Sequence, residues 1–321
     1  MDALRDRIAE RASRQPGALV GVYYHDMASA DGLTLNADSV FHAASTMKVP
    51  VMIEYFRGID SGRFAPGQQI QLTNRFASIV DGSPYQLDAA DDSDSALYAR
   101  VGGSIAVQEL VERMITRSSN LATNAVIALV DARRAQATAR ALGATDMVVL
   151  RGVEDNLAFR AGLNNTTSAR DLGALFRALA RGTAAAPAST RAMLDMLQRQ
   201  EFNDEIPAGL PPGTPVAHKT GWITGILHDA ALVRPAGRAP FVLVVLTRGI
   251  PEQRDAQRLI ADIAALVWGE VASGGAGDNG RALRKAERQS PTREGRRLRD
   301  RRDVARGVEW RISAVRDIRG S

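Results

Sequence analysis

Residues 215–247 read PVAHKTGWITGILHDAALVRPAGRAPFVLVVLT, and their pattern decides the fold. Three extended runs, PVAHKTG (215–221), ILHDAALV (226–233) and PFVLVVLT (240–247), follow one another closely, the last two joined by RPAGRA (234–239). Links this short join antiparallel neighbours, because a parallel return needs a crossover of a dozen residues or more. The stretch Phe241–Leu246 is continuously apolar and suits a buried strand. At the other end of the chain, ALVGVYYH (18–25) and GLTLN (32–36) are joined by the turn residues SADG and read as a hairpin. Charged amphipathic helices bracket these strands, MDALRDRIAERASR (1–14) before them and PEQRDAQRLIADIAALVWG (251–269) after them.

Between the two strand sets the period changes to that of helices. TMKVPVMIEYFRGID (46–60), SIAVQELVERMITR (104–117), NLATNAVIALVDARRAQATARALG (120–143), SARDLGALFRALARG (168–182) and STRAMLDMLQRQE (189–201) each repeat apolar residues at helical spacing. Pro50 is tolerable near a helix start, where its missing N–H has no helical partner anyway. The polar stretch RFASIVDGSPYQLDAADDSDS (75–95) is long and reads as functional surface or a packed excursion rather than a linker. The expected fold is α+β. Residues 1–56 and 201–269 build an antiparallel sheet of about five strands flanked by the terminal helices, and 57–200 form an inserted all-helical half.

The chain has 321 residues, 45% of them apolar, no cysteine and a formal net charge of +5. Disulfide scaffolds, Cys-ligated zinc and thiol catalysis are thereby excluded. No apolar run approaches the ~20 residues of a membrane span, and no secretory h-region is visible at the N-terminus. The charge is unevenly placed. Residues 271–321 hold 14 Lys+Arg against 7 Asp+Glu, which leaves 27 basic and 29 acidic residues in 1–270. The body is therefore slightly acidic. Residues 270–321 are expected to be a basic, disordered tail, and nucleic acid is expected as a partner only through it.

Of the 41 basic residues only three are lysine: Lys48, Lys219 and Lys285. Arginine keeps its proton in proteins, so a lysine in this background points to a need for a titratable or compact amine. Two of the three fall in short motifs. Ser45-Thr46-Met47-Lys48 opens the helix after the first hairpin, and Lys219-Thr220-Gly221 ends the first strand of the C-terminal set. A third motif, Ser118-Ser119-Asn120, lies between two helices. Residues three apart on a helix share a face, so Ser45 and Lys48 are expected to be hydrogen-bond neighbours. A serine hydroxyl needs a base to become a nucleophile, and lysine serves if burial and a second cation such as Lys219 depress its pKa. The helix N-terminus at Ser45 and the backbone N–H of Trp222 could hold an oxyanion. Each motif alone is weak, but chance would give all three together about once in a thousand such chains.

The set S-x-x-K, S-x-N and K-T-G, in this order and on these elements, resembles the class A β-lactamase family of serine hydrolases over about residues 20–269. The resemblance implies that Ser45 is acylated and Lys48 accepts its proton. Ser118 then passes a proton to the leaving nitrogen, Asn120 binds the substrate amide, and Lys219, Thr220 and Gly221 hold the substrate carboxylate and strand edge. It implies a β-lactam or acyl-D-Ala-like small molecule as substrate, no cofactor, no metal and a monomer. A D-alanyl-D-alanine peptidase or esterase on the same fold is the alternative. A nucleic-acid-binding protein with a degenerate hydrolase body is the alternative from another class. The family acts in the periplasm or outside the cell; with no export signal visible, the cytoplasm is the other expectation.

Several positions depart from the family pattern. Ser119 stands where the β-lactamase motif has Asp, while Asn124 matches a further family asparagine. His228 follows on the strand where many members present an arginine, and is expected to make a structural hydrogen bond. The deacylation base is expected at Glu154 in Arg151-Gly152-Val153-Glu154-Asp155-Asn156-Leu157, one residue further from Arg151 than in the pattern. Asp155 is its possible substitute and Asn156 a weaker candidate for holding the water. The four histidines, His25, His42, His218 and His228, show no metal-ligand spacing, and neither a G-x-S-x-G nor a nucleotide-binding glycine loop is present.

Overall fold

A computed structural model describes the backbone of residues 1–288 and the side chains of residues 1–273. Residues Met1–Ala276 form one compact unit; Gly277–Ser321 form another, described only as helical backbone to Arg288. The greater part of the expected basic tail, and with it the nucleic-acid arm, lies outside the described residues. Among the described residues no helix is long and apolar enough to cross a membrane.

The helices are α1 (Asp2–Ser13), α2 (Lys48–Asp60), α3 (Val107–Thr116), α4 (Asn120–Val130), α5 (Ala132–Ala141), α6 (Asn156–Arg160), α7 (Ala169–Arg181), α8 (Pro187–Gln198) and α9 (Gln253–Arg288). The strands are β1 (Leu19–Asp26), β2 (Gly32–Leu35), β3 (Phe41–His42), β4 (Gln69–Gln71), β5 (Phe76–Ala77), β6 (Pro84–Tyr85), β7 (Ser104–Ala106), β8 (Thr166–Thr167), β9 (Val216–Ile223), β10 (Ile226–Val233) and β11 (Phe241–Arg248). Five of them form one antiparallel sheet in the order β2-β1-β11-β10-β9, and the rest form two-stranded ladders. The first and last parts of the chain thus meet at β1 and β11, as the hairpin and the three C-terminal runs require.

Strand alternation explains why the sheet is covered on both faces. Along β11, Val242, Val244 and Leu246 join the core shared with the helical block, whereas Phe241, Leu243 and Val245 pack with Leu4 and Ile8 of α1 and Leu259, Ile263 and Val267 of α9. The core on the helical side runs from the sheet to α2 without a break. Val49, Val51, Met52, Ile53 and Tyr55 of α2 are all fully or almost fully buried, as are its Lys48 and Glu54, so this helix is enclosed nearly all round and lies at the centre of its half. Whatever stands at its first turn is consequently deep in the protein.

Three local expectations change. The 120–143 run is two helices, because Asp131 adopts φ 73° and caps α5 by accepting from Arg133 N at 2.7 Å. Residues 104–106 pair as β7 with β4 before α3 begins, placing Ile105 in the core. The helical backbone of α9 continues to Arg288 through SGGAGDNG (273–280), inside the stretch expected to be a disordered tail. Once a helix is nucleated, each further residue gains a hydrogen bond at little added cost, so glycines alone do not end it.

Helix α7 is fixed by a capping box. Ser168 Oγ accepts from Asp171 N (3.1 Å), and Asp171 Oδ2 accepts from Ser168 N (3.0 Å). Both side chains are buried, so Ser168→Ala is expected to cost about 1–2 kcal/mol and to lower the melting midpoint by several degrees in a thermal melt.

Candidate active site

Strand β9 is an edge strand of the main sheet, and its outer edge meets the turn that leads into α2. That turn, Ala44–Met47, is a single 3₁₀ turn entered through Ala44 at φ 45°. The close approach depends on Gly221: a Cβ there would lie 3.0 Å from Ser45 N and 3.1 Å from Thr46 N. The glycine of the Lys-Thr-Gly motif is therefore a packing requirement that brings the strand edge against the backbone amides of the Ser45 turn.

Lys48, the first residue of α2, is fully buried. Its Nζ donates to Ser118 O (2.6 Å), Asn120 Oδ1 (3.0 Å) and Ser118 Oγ (3.2 Å). These three oxygens sit on the tight turn between α3 and α4, where Ser118 takes φ 58° and Ser119 caps α4. Lys219 Nζ donates to the same Ser118 Oγ at 3.1 Å and to Thr220 O at 3.0 Å. One serine hydroxyl thus bridges two buried amines. Beyond Asn120, its Nδ2 donates to Glu154 Oε1 at 2.6 Å. A continuous network runs Glu154–Asn120–Lys48–Ser118–Lys219.

The Ser45 hydroxyl stands outside that network. Among the described residues it makes no hydrogen bond, so the expected direct Ser45–Lys48 contact is absent. Lys48 instead turns to the 118–120 oxygens, which offer it three acceptors where the serine would offer one. Ser45 is half-buried and lines two adjoining cavities, of about 520 and 400 Å3. The larger also holds Asn120, Glu154, Asn156, Phe159 and Trp222; the smaller holds Ser118, Asn120, Thr220, Gly221, Phe202 and Trp222. Trp222, 54% exposed, belongs to both and forms part of their shared rim. Every sequence-predicted site residue is accordingly either in the network or on the wall of a cavity that Ser45 shares, and Lys219 reaches the cavity wall through Ser118.

The electrostatics lower the pKa of both buried lysines. Burial, then the neighbouring Lys219 ammonium, holds Lys48 well below the ordinary lysine range, against the pull of Asp92 and Glu154. Burial lowers Lys219 to about 7, opposed by Asp229 and Glu205. The Glu154 carboxyl is pushed upward, chiefly by burial, although the Asn120 amide favours its ionised form.

Glu154 reaches the site despite its shifted spacing because its loop is clamped on both sides. Before it, Val153 N donates to Asn124 Oδ1 (2.7 Å), and Asn124 Nδ2 donates to Val153 O (3.0 Å). Gly152 lies so close to the Asn124 amide that a Cβ would collide with it. Arg151 Nε donates to Leu163 O (2.9 Å), and Asn165 ties both Leu150 N (2.8 Å) and Arg151 O (2.9 Å). After it, Asp155 accepts from Ser78 Oγ (2.9 Å), Ile79 N (2.9 Å) and Ala158 N (3.0 Å), capping α6. Glu154 itself adopts φ 60°, which accommodates the extra residue. Asp155 has its oxygens taken up by the loop, and those donors hold its carboxyl low against the effect of burial.

His228 is fully buried. Its Nε2 lies 2.9 Å from His42 O and its Nδ1 2.8 Å from Leu227 O, and burial drops its pKa to about 4. A neutral, enclosed imidazole has the structural role expected of it.

Sequence reading missed Asp92. It sits in the acidic run 88–94 of the long polar stretch 75–95, and it is buried beside the 118–120 turn. No local pattern signals this, because the amides it accepts from, Asn120 N and Leu121 N, lie 28 and 29 residues further along the chain.

A sequence model described as the Beta-lactamase enzyme family matches residues 3–271. A β-lactamase of Streptomyces albus G is 29% identical over 265 residues, covering 80% of this chain and 81% of the relative. A class A β-lactamase structure from Mycobacterium abscessus has a TM-score of 0.70 at 25% identity, covering 83% of this chain and 98% of that one. An acyl-enzyme complex of a PBP-A variant with penicillin G has a TM-score of 0.72 at 27% identity, covering 85% and 97%.

Proposed function

The chain belongs to the beta-lactamase enzyme family and is a serine hydrolase of the class A type; from this premise we propose which residues carry the reaction. The observation that supports the assignment best is the Ser118 hydroxyl held between the two buried amines of Lys48 and Lys219, beside cavities that open on Ser45.

The β-lactam carbonyl carbon is attacked by Ser45 Oγ. The serine proton passes to Lys48, whose depressed pKa leaves its amine able to take it. The backbone N–H groups of Ser45 and Trp222 hold the oxyanion, in the cleft that Gly221 keeps narrow. As the C–N bond breaks, Ser118 hands a proton to the ring nitrogen and is resupplied by Lys48. Asn120 orients the substrate amide while Lys219 and Thr220 hold its carboxylate. Glu154 then activates the water that cleaves the acyl-enzyme and regenerates Ser45. A small-molecule β-lactam is the substrate. Action in the periplasm or outside the cell goes with that substrate and is inferred on the same ground.

A second reading draws on the PBP-A neighbour, seen as an acyl-enzyme with penicillin G, and on Ser119 in place of the motif Asp. In it the chain is a D-alanyl-D-alanine peptidase or esterase that acylates but deacylates slowly from β-lactams. Steady-state hydrolysis of benzylpenicillin and of an acyl-D-Ala-D-Ala peptide by the same preparation separates the two. Sustained multiple turnover of the penicillin supports the β-lactamase reading. A single stoichiometric burst with continuing peptide cleavage supports the peptidase.

The Lys219 value near 7 carries a sign. Its pKa is depressed, so the cation is present below about 7 and lost above it. KM for a carboxylate-bearing substrate is therefore expected to rise as the pH climbs through that value. The kcat should change less, because a bound carboxylate restores the ammonium. Parallel pH profiles of kcat and KM check this, and a flat KM would remove Lys219 as the anchor.

A further inference from the structure

The family motif supplies a carboxylate at the position of Ser119, and here a buried carboxyl from elsewhere in the chain lies beside that position. Asp92, 7% exposed, places Oδ2 at the start of α4. That oxygen accepts from Leu121 N (2.8 Å), Asn120 N (2.9 Å), Tyr98 OH (3.1 Å) and Ser119 Oγ (3.4 Å), while Oδ1 accepts from Asp94 N (2.9 Å). The two backbone donors are among those that the first turn of a helix leaves without a helical partner, and the positive end of the α4 dipole favours an anion there. Asn120, held in this way, is the residue whose side chain touches both Lys48 Nζ and Glu154 Oε1.

We propose that Asp92 is the positioning residue of this site, standing in for the absent motif carboxylate by holding Asn120 between Lys48 and Glu154. The assignment rests on Ser45, Lys48 and Glu154 acting as proposed above. Its charge is felt by both partners. Lys48 faces Lys219 from β9, Glu154 from its loop, Asp92, and the neutral Ser118 and Asn120; among these Asp92 and Glu154 pull its pKa up. Glu154 faces Asn120, Asp92, Asp91 and Lys48, and the two aspartates push its pKa up. Removing the Asp92 charge therefore lowers both pKa values, so both groups stay in the basic form to lower pH.

The test uses the full chain with Asp92→Asn, Asp92→Ala and the double variant Asp92→Ala/Ser119→Asp. Three quantities are followed: penicillin acylation by time-resolved intact mass, its pH profile, and hydrogen exchange at the Asn120 and Leu121 amides. Asp92→Asn is expected to slow acylation about 10- to 100-fold and to move the acid limb of the profile to lower pH. Asp92→Ala is expected to slow it further and to speed exchange at both amides. The double variant returns a carboxylate to the motif position, next to the vacated site, and should recover most of the lost rate.

Folded Asp92→Asn with an unchanged rate and an unmoved acid limb overturns the proposal, as does a double variant no faster than Asp92→Ala. If Asp92→Ala does not fold, Asp92→Asn and the double variant still decide. Exchange is read without substrate. Wild type that is never acylated would sink the proposed function, while faster exchange in Asp92→Ala would still uphold the positioning of Asn120 and unchanged exchange would overturn it.

Discussion

Glu154→Gln is expected to convert the enzyme from one that turns over penicillin into one that stores it. The glutamine is isosteric and its amide oxygen can still accept from Asn120 Nδ2, now 2.6 Å from Glu154 Oε1, so the loop should keep its shape. Only the proton acceptor is lost. A positioned general base contributes about 10²- to 10⁴-fold, so deacylation should slow by about that factor while acylation at Ser45 proceeds at nearly its wild-type rate. Intact mass would show an adduct that decays quickly in wild type and persists in the variant. Equal persistence in both would show that Glu154 is not the base. The upward shift of its carboxyl adds a check: the acid limb of deacylation should lie above the ordinary carboxylate range, because burial must be overcome before the base ionises.

Ser45→Ala is expected to abolish the adduct altogether. Without the nucleophile neither half-reaction exists, and removal of such a residue costs about a millionfold in kcat in a well-studied serine hydrolase. Ser45 Oγ makes no hydrogen bond among the described residues and lines open cavities, so its removal should leave the melting midpoint almost unchanged. An unaltered melt with no turnover and no adduct is the expected combination. A stable adduct on another residue in this variant would displace Ser45 as the nucleophile.

Both expectations concern residues that a reader of the sequence would already suspect, but for different reasons. Ser45, Lys48, Ser118, Asn120 and Lys219 are legible as motifs because each lies within a few residues of its companions and on an element whose type its own period predicts. The lysines stand out further because arginine fills almost every other basic position. Glu154 is legible only in outline, since its spacing from Arg151 misses the pattern. The clamp by Asn124, Asn165 and Asp155, together with a left-handed backbone, delivers it to the site.

By itself the sequence determined the sheet, through extended runs and short links, and the helices, through period 3.6. It also determined the chemical types available for acyl transfer. These are local properties, written within a turn or a strand. The tertiary structure decided what those groups touch. Lys48 bonds residues 70 and 72 positions away rather than the serine three before it. His228 is neutral because the core encloses it, and Asp92, in an acidic run of a long polar stretch, becomes the buried carboxyl at the start of α4. Burial, dielectric and hydrogen-bond partners come from segments distant in the chain, and no local period records them.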